Sequence, residues 1–265
     1  MTPVNPTTPV LEVTSLTKQF GGLRAVNDFN MTIHKGELVG LIGPNGAGKT
    51  TAFNMITGLY FPTKGDIQFE GNSVVGLQPY EITRLGIGRT FQNIRLFSNL
   101  SVLDNVRIAY HFHSDYSMTD GIFRNSNYSS KEKELTEQTQ DFLEIFHLNK
   151  LEGEIAKNLP YGQQRRLEIA RALACNPRLL LLDEPAAGMN PKEITELMDL
   201  IHFIREKFDL TILLIEHQMR LVMDICEKIT VLDFGEVIAR GTPGEIQNNP
   251  KVIEAYLGKG AANVA

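Results

Sequence analysis

The feature that most limits how this chain can fold is an octapeptide near its beginning, Gly43-Pro-Asn-Gly-Ala-Gly-Lys49-Thr50. The apolar run Leu38–Ile42 before it reads as a strand, and Lys49–Thr57 after it reads as a helix. Glycines let the loop of such a unit wrap with its N–H groups pointing inward, and the helix adds its positive N-terminal end. The unit is therefore built to cradle phosphate. The spacing G-x-x-x-x-G-K-[ST] assigns each part. Gly43, Pro44, Asn45, Gly46, Ala47 and Gly48 wrap the phosphates of ATP, and Thr51 continues the binding set on the helix. Lys49 reaches the β- and γ-phosphates, and the Thr50 hydroxyl is a ligand for Mg²⁺.

A second run narrows the fold further. Leu179-Leu-Leu-Leu-Asp183 is apolar without alternation, as expected of a parallel strand buried on both faces, and Leu210–Ile215 reads the same way. A strand ending in acid places Asp183 at the carboxyl edge of a parallel sheet, where ligands bind in α/β folds. Asp183 can then hold Mg²⁺, and Glu184 beside it can polarise an attacking water as general base. The remaining pattern is mixed. Val10–Val13, Phe29–Ile33 and Ile87–Phe91 read as strands. Asp66–Phe69 and Ser73–Val75 flank a hairpin turn, as do Ile229–Leu232 and Val237–Arg240. Ser101–His111, Lys131–Phe146, Gln163–Ala174, Pro243–Asn248 and Lys251–Leu257 read as helices. Asn190-Pro191-x-Glu193 is a cap, a first-position proline and a capping-box acid, opening a helix that runs to Lys207. Residues 113–130 are polar and read as an exposed insertion.

Composition excludes several classes. The 265 residues are 42% hydrophobic and 22% charged, with net charge −5, so neither a disordered chain nor a broadly basic nucleic-acid binder is expected. Cys175 and Cys226 form no C-x-x-C pair and read as reduced thiols. The Thr/Pro-rich start lacks the marks of a signal peptide. No apolar run approaches the ~20 residues of a membrane span, so membrane contact is expected only through a partner. Asp233-Phe234-Gly235 follows no H-R-D loop and is read only as a hairpin turn. His111 and His113 lack further ligands in metal spacing, and Lys131–Lys133 reads as a solvated helix face.

With these residues in place, the chain resembles the ABC-transporter ATPase family from Leu11 to about Leu257. The resemblance implies a P-loop α/β fold: a RecA-like parallel-sheet core, an antiparallel β subdomain and an inserted helical subdomain. Residues 1–258 would be one ATPase domain, with 10–93 and 160–258 forming core and β subdomain, 94–159 the helical subdomain, and 259–265 a tail. It also implies roles. Phe20 stacks on adenine, although an aromatic at a strand end is otherwise a core residue. Gln92 touches Mg²⁺ and signals to the membrane subunit. His217 contacts the γ-phosphate. The family signature L-S-G-G-Q stands here as Leu159-Pro160-Tyr161-Gly162-Gln163, without the serine and the first glycine. In the family that segment acts on the nucleotide of the opposite subunit, so the change falls on the partner's site. Ala187 and Asn190 also depart from the usual Ser and Asp.

The stretches Leu159–Leu167 and Gly241–Gly258 are similar to the G-type ATPase subunits of high-affinity branched-chain amino acid importers. That similarity implies a second, different ATPase subunit, two membrane permeases, a periplasmic binding protein and a peripheral place on the cytoplasmic face of the inner membrane. An ATPase for lipid or lipopolysaccharide export, a soluble ABC module acting on ribosomes or DNA, and a nucleotide-gated module without turnover are the alternatives.

Overall fold

The computed structural model describes residues 8–110 and 126–257. The first seven residues, most of the 113–130 insertion with His111 and His113, and the 259–265 tail lie outside the described residues. The chain forms two compact units, Met1–Arg89 with Arg178–Ala265, and Thr90–Pro177.

The first unit holds two sheets. Strands β1 (Leu11–Phe20), β2 (Leu23–Ile33), β4 (Lys64–Phe69) and β5 (Asn72–Ser73) form an antiparallel sheet in the order β2-β1-β4-β5. Strands β3 (Leu38–Ile42), β6 (Ile87–Arg89), β7 (Leu179–Asp183), β8 (Thr211–Ile215), β9 (Lys228–Asp233) and β10 (Glu236–Gly241) form the other, in the order β10-β9-β3-β8-β7-β6. Every pair in it is parallel except β9–β10. All residues of β3, β7 and β8 are buried, as unbroken apolar runs require.

β1 and β2 extend well beyond the expected Val10–Val13 and Phe29–Ile33. Their register shifts between Val13 and Leu16 and again near Lys18, with Ser15 and Asp28 in left-handed backbone. These bulges break the two-residue alternation on which a sequence reading depends. β6 is shorter than expected and stops at Arg89. The Phe91 N–H goes instead to the Glu168 carboxylate at 3.3 Å.

Helices α1 (Lys49–Ile56), α2 (Pro79–Leu85), α6 (Pro191–Lys207), α7 (Met219–Ile225), α8 (Pro243–Gln247) and α9 (Pro250–Leu257) also belong to the first unit. α6 spans the residues expected, with Asn190 Oδ1 accepting from the Lys192 and Glu193 N–H groups. α2 and α7 were not anticipated. α2 uses the same Pro-x-Glu opening after Gln78, an unusual cap residue, and both helices are only seven residues long.

The second unit carries α3 (Val102–Tyr110), α4 (Ser126–Ile145) and α5 (Tyr161–Ala174), packed around Val106, Leu143, Phe146 and Leu167. α4 begins at Ser126, so the last five residues of the expected insertion are helical. Ser and Asn there argue for loop by composition, but adding residues to an existing helix is cheap compared with nucleating one. The sequence reading ends the helical insert at Leu159, whereas this unit runs on through α5 to Pro177. No helix among the described residues is long and apolar enough to cross a membrane.

Candidate functional site

The chain leaves β3 at Ile42, turns through residues 43–48 and enters α1. Two glycines are required by close approach. A Cβ on Gly43 would lie 2.0 Å from the Leu232 carbonyl oxygen, and one on Gly48 would lie 2.4 Å from that of Ala25. Both also have positive φ. Ala47 is buried beneath the loop. Its N–H donates to the Pro44 carbonyl at 3.2 Å, and its carbonyl accepts from the Gly235 N–H at 3.0 Å. The Asp233–Gly235 turn, read from sequence as a hairpin alone, is therefore the floor that supports the phosphate loop.

Asn45, Gly46 and Thr50 face solvent, while Pro44 and Thr51 are half-buried. α1 has no side-chain cap and no acid in its first turn, unlike α6. The first N–H groups of a helix have no intrahelical acceptor, so this end offers donors and positive dipole to an anion. Lys49 is 5% exposed, with Nζ donating to the carbonyls of Gly43 at 2.7 Å and Pro44 at 3.0 Å. Burial lowers the pKa of its ammonium, and the charges of Glu184 and Asp183 act in the opposite direction.

Asp183 ends β7 and is almost fully buried. Its Oδ2 accepts from Arg89 Nη2 at 2.8 Å. Arg89 also donates from Nη1 to Asn54 Oδ1 at 2.8 Å and Thr57 Oγ1 at 2.9 Å, both near the end of α1. One guanidinium thus ties the acidic strand end to the helix that follows the phosphate loop. Glu184 comes next, in left-handed backbone at φ 45°. Its Oε2 lies 3.6 Å from His217 Nδ1, and its N–H donates to the Ile215 carbonyl at 2.9 Å. His217 is half exposed just beyond β8. Behind it, the Glu216 carboxylate is completely buried.

Phe20 ends β1 and pairs with Leu23 across the hairpin, two residues along β2 from the Ala25 carbonyl that abuts Gly48. Its ring is 42% exposed, with an edge-on contact to Tyr60 and the Lys18 ammonium 5.1 Å from its centre. An aromatic this open is available to stack on a planar ligand. At the other end of the chain, the Tyr256 hydroxyl of α9 is buried near the Gly43 N–H. Burial pushes the hydroxyl up to about 12.

The structure thus brings residues 43–51, Asp183, Glu184 and His217 together in the first unit, with Phe20 at the edge. Gln92 and Leu159–Gln163 belong to the second unit. There the Gln92 carbonyl accepts from Arg165 Nη2 at 2.9 Å, and the same nitrogen donates to the Tyr161 hydroxyl at 3.1 Å. Pro160 and Tyr161 are exposed, Leu159 is buried, and Gly162 and Gln163 are half-buried. α5 opens at Tyr161 with no side-chain cap and no acid in its first turn. Arg89 and Glu216 escaped the sequence reading, because a buried charge reveals its work only through its partners.

Residues 26–187 match the profile described as ABC transporter. The chain belongs to the ABC transporter family. Residues 236–262 of this ABC subunit match a second profile, described as Branched-chain amino acid ATP-binding cassette transporter. The chain is 47% identical over 251 residues to the high-affinity branched-chain amino acid transport ATP-binding protein BraF of Pseudomonas aeruginosa, covering 95% of this chain and 98% of that one. It is 46% identical, with the same coverage, to the corresponding protein LivG of Escherichia coli K12. The crystal structure of the ADP conformation of MJ1267, an ATP-binding cassette of an ABC transporter, superposes with TM-score 0.82 at 31% identity, covering 96% of this chain and all of that one. In this ABC subunit Asn190 is occupied in capping α6, and the Ala187 N–H donates to the Glu184 carbonyl at 3.2 Å. Both departures from the family pattern thus sit in local backbone structure.

Proposed function

We propose that this subunit hydrolyses ATP to energise import of branched-chain amino acids through membrane permeases. One observation carries the chemical part: an uncapped helix start and the Lys49 ammonium share a site with the Asp183 and Glu184 carboxylates at a parallel strand end. The cargo assignment is supported by near-half identity to BraF and LivG over almost the whole chain.

In this reading backbone N–H groups among residues 45–51 and the Lys49 ammonium bind the β- and γ-phosphates, and Phe20 stacks on the base. Glu184 takes the proton from a water attacking the γ-phosphorus as the β–γ bridging bond breaks and the bridging oxygen leaves on ADP. His217 contacts the γ-phosphate. Among the described residues no three His, Cys, Asp or Glu side chains converge as a metal cage. A Mg²⁺ ion carried mainly by substrate phosphates needs none and fits the oxygen donors present. Thr50 and Asp183 would complete its ligands, and it would offset negative charge on the phosphates; the role of Gln92 rests on the family resemblance alone. Leu159–Gln163 would serve the nucleotide of a second, different ATPase subunit whose own signature closes on this site. Two permeases and a periplasmic binding protein complete the assembly, with this subunit on the cytoplasmic face of the inner membrane.

The test is ATP-driven uptake of labelled leucine into vesicles carrying the chain and the membrane subunits that purify with it. Glu184→Gln should retain ATP binding and cut both uptake and turnover by ~10²–10⁴-fold. Co-purification with subunits that move lipid instead, and no leucine uptake, would overturn the cargo assignment.

A further inference from the structure

The chemistry above leaves the fully buried Glu216 carboxylate unused. Glu216 Oε1 accepts from the Ala186 N–H at 2.8 Å, while Oε2 accepts from the N–H groups of His217 at 2.9 Å and Gln218 at 3.1 Å. Gln218 Nε2 donates back to the Ala186 carbonyl at 3.2 Å. The Glu184 N–H completes the seam on the Ile215 carbonyl at 2.9 Å. Residues 184–186 are thus tied to 215–218 by the Ala186–Glu216, Gln218–Ala186 and Glu184–Ile215 bonds, and Glu216 also accepts from the two N–H groups that follow it. Both carboxyl oxygens serve as acceptors here; an amide would turn N–H toward N–H on one side. Charge-assisted bonds to backbone N–H groups are the strong kind.

The seam holds a position that needs holding. Glu184 is a non-glycine residue at φ 45°, and such backbone persists only where its surroundings over-determine it. Ala186, two residues on, is gripped by Glu216 on its N–H and by Gln218 on its carbonyl. His217 is fixed through its own N–H, with Nδ1 3.6 Å from Glu184 Oε2.

We propose that Glu216 and Gln218 form a positioning strap that locks Glu184 in its left-handed turn and sets His217 beside it, serving the hydrolytic step and not nucleotide binding. The proposal rests on the reading of Glu184 as the base. Neither residue of the strap touches the reacting atoms; both act through backbone.

The experiment uses the full chain in the complex purified with its own membrane subunits, with Mg-ATP as substrate and a fluorescent ATP analogue for equilibrium binding. Glu216→Ala and Glu216→Gln are made alone and on Glu184→Gln, with circular dichroism reporting folding. Glu216→Ala should lower kcat ~10–100-fold, the cost of a misplaced catalytic group, with affinity changed less than ~3-fold. On Glu184→Gln it should add no further loss. Glu216→Gln, which keeps the shape, should fall between, and it carries the test if the alanine variant does not fold. A purely structural role would instead lower the melting temperature with kcat per folded molecule intact, or weaken binding in step with turnover; either result sinks the strap, as does full additivity with Glu184→Gln. Strong loss in Glu184→Gln beside normal turnover in both Glu216 variants refutes the strap alone. Normal turnover in Glu184→Gln removes the role of Glu184, and the strap with it.

Discussion

Replacing Arg89 with methionine tests whether one guanidinium fastens the acidic strand end to α1. The side chain is 7% exposed and its partner Asp183 is 2% exposed, so the pair is screened little by solvent. Removing one partner of a buried ion pair costs about 3–5 kcal/mol, chiefly because the remaining charge stays desolvated. Asn54 Oδ1 and Thr57 Oγ1 lose the same donor, at about 1 kcal/mol each. Arg89→Met should therefore destabilise the chain by roughly 5 kcal/mol, a large share of the 5–15 kcal/mol typical of a folded protein. Adding Asp183→Asn should recover much of that, because the stranded charge is gone. The chain has no tryptophan, so urea unfolding is best followed by far-ultraviolet circular dichroism. A loss below ~1 kcal/mol in Arg89→Met, or a double variant as unstable as the two single losses combined, would refute the reasoning.

Lys49→Ala should weaken ATP binding by about 2–5 kcal/mol, or at least ~30-fold, read by titration with a fluorescent analogue; the fold should survive. Gly48→Ala places a Cβ against the Ala25 carbonyl in a backbone of φ 103°, and should lower the melting midpoint by ~6–12 °C through about 3 kcal/mol of strain. Burial raises the Glu37 carboxyl, but Lys228 and the His34 N–H outweigh it and hold the group below its ordinary value of 4.5. The stability this contributes is present above 4.5 and is lost as pH falls through the lower folded-state value. The gap in urea midpoint between the native chain and Glu37→Gln should therefore be wide at neutral pH and close in acid; a gap independent of pH would contradict that sign.

What the sequence discloses follows from how uniform each environment is. β3, β7 and β8 are buried on every residue, so unbroken apolar runs mark them to within a residue. α6 carries its own start signal in Asn190, Pro191 and Glu193. The second half of β1 hides behind its bulges, and α2 and α7 are too short to develop a period. At the site, residues 43–50 and Asp183-Glu184 are legible because local chain geometry dictates them. Phe20, Gln92 and His217 were assigned only by family resemblance, since a single aromatic, amide or imidazole has many other uses. Arg89 and Glu216 could not be assigned at all, because their partners lie at distant positions such as Asp183 and Ala186.

The strand order sets a schedule for synthesis. β3 lies between β8 and β9, so the strand that leads into the phosphate loop has neither sheet neighbour until residues 211–233 exist. The floor of the loop arrives with β9 at Leu232 and just after it at Gly235. A chain emerging from the ribosome N-terminus first thus carries all eight residues of the phosphate motif roughly 160 residues before the first sheet neighbour of β3 exists. Fragments ending between residues 50 and 235 contain the whole motif and lack the Gly235 N–H that braces its Ala47 carbonyl.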